Sequence, residues 1–206
     1  MDKKEKIKKI VNENNGILYS KDLEKYDIHR QYLKELEESG YLKKVFRGMY
    51  IKSDKNINEF FIMSQRFQSG IYSHNTALYF YNLTDRTPIK LDMTFPSNVR
   101  IDNEYINAHY IKSEKHLIGA TKMKLEDSTI IQIYDLERTI CDIIRDRNKM
   151  DPQIFNIAMK EYSKRKNKNL NLLYKYAKEF RIENKLKQYM EVLDWKWKEM
   201  QWALKQ

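Results

Sequence analysis

Ile7, Ile10 and Val11 recur at helical spacing, while Lys3, Lys4, Lys6, Lys8 and Lys9 fill the other faces of the same segment. This helix is predicted to stop at Asn14-Asn15-Gly16, because glycine takes the left-handed conformation that closes a helix. Ile17-Leu18-Tyr19 then reads as a short extended piece. Ser20 stands where an N-cap belongs for a second helix over Lys21 to Lys25, with Asp22 near its positive end. A turn at Tyr26-Asp27-Ile28 leads into a third helix, about His29 to Ser39, closed by Gly40. On a helical wheel His29, Tyr32, Leu33 and Leu36 share the packing face of that helix. Arg30, Gln31 and Lys34 lie opposite, toward its N-terminal half. Tyr41 to Phe46, a turn at Arg47-Gly48 and Met49 to Lys52 read as a hairpin.

The order of helix, short strand, helix, helix and basic hairpin predicts a winged helix-turn-helix over residues 1–52. In such a unit one face of the third helix packs and the other presents long polar side chains to base edges. The candidate DNA contacts are Arg30, Gln31 and Lys34 on the helix, and Lys43, Lys44 and Arg47 on the wing. Ser20, Lys21 and His29, at the starts of the two helices, complete the set.

Beyond Lys52 the pattern changes. A helix over Asn58 to Gln68, with Phe60, Phe61, Ser64 and Phe67 inward, is predicted to open a second domain at 56–193, leaving Lys52 to Ile57 as the boundary. Ser73 is placed to cap a short helix from His74 to Tyr81. Leu91 to Pro96 alternates as a strand, and residues 105–112, 117–125 and 129–134 are further β-type stretches rich in Ile, Tyr and Thr. Asp135 caps a helix whose Leu136, Ile140, Ile143 and Ile144 pack, and helices follow at about 152–165, 169–180 and 183–192. The expected fold class is α+β: a small sheet with a helical C-terminal part. Leu193, Trp197, Met200 and Leu204 share a face, so residues 194–206 read as a Trp-rich terminal helix or tail.

Charge adds one feature to this picture. The formal net charge of +10 is uneven: residues 1–52 hold 13 basic against 9 acidic side chains, residues 53–150 are balanced, and residues 151–206 hold 13 against 7. Two basic ends around a neutral middle suit a polyanionic partner, although lysine is also an ordinary solvating residue. No apolar run approaches the length of a membrane span, and the charged N-terminus does not resemble a signal peptide. With the single cysteine, Cys141, this points to a cytoplasmic protein.

Candidate chemistry changes little. His29, His74, His109 and His116 lack metal-ligand spacing, and no phosphate-binding glycine loop is present, so neither a metal nor a cofactor is expected. Asp135, Glu137, Arg138 and Asp142 could be drawn as a metal-dependent nuclease centre. A cap at Asp135 and an i,i+4 ion pair between Arg138 and Asp142, both of small energetic scale, account for them more simply. Ser73, His74 and Asp85 lack the nucleophile elbow of a hydrolase. Cys141 reads as a buried thiol, and Tyr79-Phe80-Tyr81 as core. The chain is therefore expected to bind rather than to catalyse.

Three segments taken in order carry a resemblance: Gly16-Ile-Leu-Tyr-Ser-Lys-Asp-Leu through Arg47-Gly-Met-Tyr50, Tyr72-Ser-His-Asn-Thr-Ala-Leu through Leu83-Thr-Asp-Arg-Thr-Pro88, and Tyr134-Asp-Leu-Glu-Arg-Thr-Ile-Cys-Asp142. Together they resemble the AbiEi family, antitoxins of type IV toxin–antitoxin systems linked to abortive phage infection, over residues 1 to about 193. The resemblance implies a winged helix-turn-helix joined to an antitoxin domain. It implies double-stranded DNA as a partner, through inverted repeats in the protein's own promoter, bound by a monomer or weak dimer. It also implies a cognate nucleotidyltransferase-like toxin whose effect is countered without needing a stable complex. The alternative is a winged-helix transcriptional regulator unrelated to such systems.

Overall fold

The computed structural model describes residues 2–193, so the reading of 194–206, with Trp195, Trp197 and Trp202, lies outside the described residues. The fold is α+β, and the chain divides into two compact units, residues 1–66 and 67–206. Among the described residues no helix is long and apolar enough to cross a membrane.

The first unit opens with α1 (Lys3–Glu13), which buries Ile7, Ile10 and Val11. Asn15 and Gly16 then take positive φ and turn the chain into β1 (Ile17–Tyr19). The second helical segment, Ser20–Tyr26, is a 3-10 helix. It ends at Asp27, whose left-handed backbone lets the Ile28 amide reach back to the Leu23 carbonyl. α2 (Gln31–Glu38) packs Leu33 and Leu36 inward, and β2 (Leu42–Phe46) and β3 (Met49–Lys52) form an antiparallel hairpin. β3 is central in a three-stranded sheet of order β1-β3-β2, so β2 is an edge strand. Ile7, Ile10, Val11, Leu18, Leu23, Ile28, Leu33, Leu36 and Leu42 make one core. Each such side chain contributes about 1.5–3 kcal/mol by leaving water.

The structure departs from the sequence expectation at three places. Ser20 is not an N-cap: it lies inside the 3-10 helix, whose cap position is Tyr19; its backbone amide donates to the Gly48 carbonyl at 2.9 Å. His29 precedes α2 and is exposed, so it does not belong to the packing face; its ring Nδ1 accepts from the Gln31 amide at 3.2 Å. α3 (Glu59–Arg66), expected to open the second domain, belongs to the first unit. The reason is an apolar patch of Met49, Ile51 and Ile57, against which Phe61 and Ile62 pack, and a hydrogen bond from the Tyr19 hydroxyl to Gln65.

The second unit holds a five-stranded mixed sheet of order β6-β5-β4-β8-β7. Its strands are β4 (Ile71–Tyr72), β5 (Leu91–Pro96), β6 (Ile106–Ile111), β7 (Ala120–Lys124) and β8 (Ile130–Tyr134). β5–β6 and β4–β8 are parallel, and the other two pairings are antiparallel. α4 (His74–Phe80) follows β4, and the one-turn α5 (Ser113–His116) precedes β7. The strand expected over 117–125 starts only at Ala120, because Gly119 turns the chain at φ +77°. α6 (Leu136–Arg145) is buried along nearly its whole length, and α7 (Pro152–Lys164), α8 (Leu170–Glu179) and α9 (Glu183–Leu193) pack around it. β5 is buried on both faces, its apolar side carrying Leu91, Met93 and Phe95 and its polar side Asp92 and Thr94. Alternation alone reads Asp92 and Thr94 as solvent-facing. They are buried because a hydrogen-bonded cluster lies over them.

Candidate nucleic-acid interface

The expected DNA contacts fall on three stretches of the first unit, all exposed except the half-buried Ser20. Gln31 opens α2 and is exposed, one turn before Lys34. Lys34 projects into solvent with its Nζ 3.7 Å from Glu38. Arg30, at the cap position, has its guanidinium 2.6 Å from the Glu24 carboxylate. Both partners of that pair are mostly exposed, so the pair is weak and can exchange for another acceptor. Arg30 borders an open concavity of about 480 Å³ with His29, Ile28, Asp27 and Glu24. The two carboxylates there offset its positive charge.

The hairpin is more uniformly basic. Lys43 and Lys44 are exposed on β2, opposite Ile51 and Tyr50 of β3. Cross-strand partners share a face, so successive lysines point to opposite sides of the hairpin. A register shift between Lys44 and Phe46 twists the strand just before the turn. Gly48 completes that turn at φ +93°, and Arg47 beside it is exposed. Among the described residues none of Lys43, Lys44 and Arg47 has a carboxylate partner. Lysines on an edge strand also discourage sheet-to-sheet pairing. Ser20 is joined to the turn through Gly48, and Lys21 is exposed, with its Nζ 5.7 Å from the Tyr19 ring.

In the second unit, the carboxylates considered for a nuclease are engaged within the protein. Asp135 caps α6 by accepting from the Arg138 amide at 2.8 Å and from the Tyr176 hydroxyl at 2.7 Å. Glu137 accepts from the Asn169 amide at 2.7 Å. The Arg138–Asp142 pair is present, but it is not the small surface interaction its spacing suggests, since both side chains are fully buried. Ser73 precedes α4 without capping it. Its hydroxyl accepts from Thr94 and sits 3.0 Å from His74 Nδ1.

That serine belongs to a cluster that sequence spacing conceals. His74 Nε2 lies 3.1 Å from Asp146, and the His74 ring stacks on His109 with centroids 3.6 Å apart and planes 10° apart. His109 Nε2 in turn meets Asp92 at 2.6 Å, a carboxylate that also accepts from Asn107. Burial pushes the His74 imidazole below its ordinary pKa, against the Asp146 hydrogen bond. A neutral His74 carrying its proton on Nε2 satisfies the whole chain: Thr94 donates to Ser73, Ser73 to Nδ1, and Nε2 to Asp146. Burial alone would raise the Asp146 carboxyl, but His74 and Arg145 outweigh it and hold it well below the usual range. Ligand atoms of His74, His109 and Asp146 lie within 4.8 Å of one another. A metal ion sits in the plane of each imidazole it binds, and two parallel rings share no such plane, so the arrangement suits hydrogen bonding rather than one shared ion. Ser73 is completely buried, which leaves no approach for a substrate. The only sequence cue to this cluster is a pair of polar residues inside an apolar strand.

No family model and no curated protein matches the sequence. Among solved structures the chain is similar to the RV2827C protein from Mycobacterium tuberculosis, at 11% identity and a TM-score of 0.61. That match covers 84% of this chain and 69% of that one, and at such low identity it speaks for the fold alone.

Proposed function

We propose that residues 1–52, within the first unit, form a winged helix-turn-helix that binds double-stranded DNA, and that the protein is an AbiEi-type antitoxin repressing its own operon. The observation that carries the DNA reading is the hairpin. Its Lys43, Lys44 and Arg47 are exposed, without a carboxylate partner among the described residues, beside a short helix presenting Gln31 and Lys34. Such a wing supplies phosphate contacts while the helix start meets base edges. The order of elements in this unit supports the same reading. The antitoxin role rests on the resemblance of residues 16–50, 72–88 and 134–142 to that family. It reads the second unit as the part that opposes a nucleotidyltransferase-like toxin, without catalysis of its own and without a bound cofactor.

Two measurements test this. Footprinting of the protein on the DNA upstream of its own gene should protect inverted repeats, and no protection at low salt would end the repressor reading. Co-expression with a nucleotidyltransferase encoded beside it should restore growth. Protection without such a neighbour, or without rescue, leaves the unrelated winged-helix regulator as the answer.

A further inference from the structure

A second concentration of positive charge lies in the second unit, on side chains far apart in sequence. A cavity of about 400 Å³ is walled by Tyr110 and Ile111 at the end of β6, Lys112 and Lys115 around α5, Arg145 at the end of α6, and Phe180-Arg181 between α8 and α9. Four cations therefore border one space. Lys115 is held by Glu179 at 3.0 Å, and Arg145 by Asp142 and Asp146 at 3.0 and 3.2 Å, with Asp142 also serving Arg138. Lys115, Arg145 and Arg138 thus take up Glu179, Asp142 and Asp146, and among the described residues Lys112 and Arg181 have no acidic partner. Arg100 stands 5.3 Å above the Tyr110 ring and adds another cation near that wall.

Arg181 carries an independent mark. The Ile182 amide bonds back to the Ala177 carbonyl and the Arg181 amide to that of Lys178, so α8 closes with Arg181 in the left-handed position where glycine is favoured. Its φ of +57° is unfavourable for a side chain of this kind. An arginine kept where local backbone preference asks for glycine, with its guanidinium unpaired at a cationic cavity, is a local conflict of the kind that clusters at binding sites.

We infer that this cavity binds a polyphosphate-bearing ligand of the size of a nucleoside triphosphate. Its volume falls in the range of small-molecule sites. Guanidinium and ammonium groups together match a chain of phosphate oxygens, and Tyr110 and Phe180 give the remainder of the ligand an apolar wall. The inference is independent of the DNA reading, which concerns the first unit.

The experiment is calorimetric titration of the full chain with ATP, GTP, inorganic tripolyphosphate, orthophosphate and a twelve-nucleotide single strand. Lys112→Ala, Arg181→Gly and, as a control on the exposed face of α8, Lys175→Ala are titrated alongside. Saturable one-site binding of a triphosphate is expected, weakened at least tenfold by Lys112→Ala and by Arg181→Gly and unchanged by Lys175→Ala. Arg181→Gly also relieves the backbone, so its melting temperature should equal or exceed that of the parent, which separates weakened binding from impaired folding. Tighter binding of a nucleotide than of tripolyphosphate identifies a nucleotide as the ligand; equal binding identifies polyphosphate itself, and either supports the site. No saturable triphosphate binding, equal weakening in all three variants, or binding of the oligonucleotide alone overturns it.

Discussion

The Arg138 Nε lies 3.0 and 3.1 Å from the two carboxylate oxygens of Asp142, one helical turn away on α6, and neither side chain is exposed. The guanidinium is enclosed by the Tyr134 and Phe180 rings, 4.0 and 4.1 Å from their centroids, and its Nη1 donates to the Ile118 carbonyl. Gly119 permits this approach, since a Cβ there would stand 2.6 Å from the Arg138 Cβ. Removing one charge strands the other in a medium that solvates it poorly. Asp142→Ala should therefore cost about 3–5 kcal/mol, and a paired Arg138→Met, Asp142→Leu change should recover a large part of that loss. Urea melts that place the double variant below the single one would refute this account.

Acid should weaken the second unit through its buried histidines. His74 and His116 are both held below the ordinary value of 6.5, chiefly by burial. The unfolded chain then binds protons more readily than the folded one, so their contribution is complete above about pH 6.5 and declines as pH falls below it. Each histidine limits the slope to about 1.4 kcal/mol per pH unit. Melting temperatures between pH 7.5 and 5.5 should fall, and less so in His74→Asn, whose shorter side chain tolerates the left-handed backbone found there (φ +44°). An identical slope in the variant removes His74 from the explanation.

The wing should supply affinity without sequence preference. Replacing Lys43, Lys44 and Arg47 by alanine should reduce the slope of log K against log salt by about 0.9 for each phosphate that these side chains neutralise. The check is fluorescence anisotropy over a salt series on operator and random duplexes. A slope matching the parent's removes the hairpin from the interface.

Arg30 should discriminate between sequences. Arg30→Ala is expected to cost about 1–3 kcal/mol on the operator and much less on random DNA. Because Glu24 occupies that guanidinium at 2.6 Å, Glu24→Ala should tighten operator binding. Weaker binding by Glu24→Ala, or equal losses on both duplexes for Arg30→Ala, would assign Arg30 a structural role.

The two activities should separate at Arg66/Phe67 rather than near Asn56. A fragment starting at residue 67 should fold, lose operator binding and still relieve toxicity. One starting at residue 56 carries Ile57, Phe61 and Ile62 without the Met49 and Ile51 they cover, and should be the less soluble of the two. Growth rescue at matched expression decides it: a soluble 67–206 fragment that fails while the full chain succeeds contradicts the separation.

Local signals determined much of this protein. Apolar spacing located α1, α2, β5 and α6, positive-φ residues at Gly16 and Gly48 marked the turns, and Asp135 was legible as a cap, because each depends on neighbours within about four residues. Ser20 and Ser73 show where that legibility ends: Ser20 lies inside its 3-10 helix, with its amide bonded to the distant Gly48, and the Ser73 hydroxyl is engaged by the distant Thr94 rather than by the start of α4. Tertiary structure alone decided that α3 joins the first unit, that Arg138 and Asp142 are buried, that His74 stacks on His109, and that Lys112, Arg145 and Arg181 border one cavity. Contacts between residues tens of positions apart leave no periodic trace in the chain. They are set by how the sheet and helices pack, and a single sequence carries that information only through its folded form.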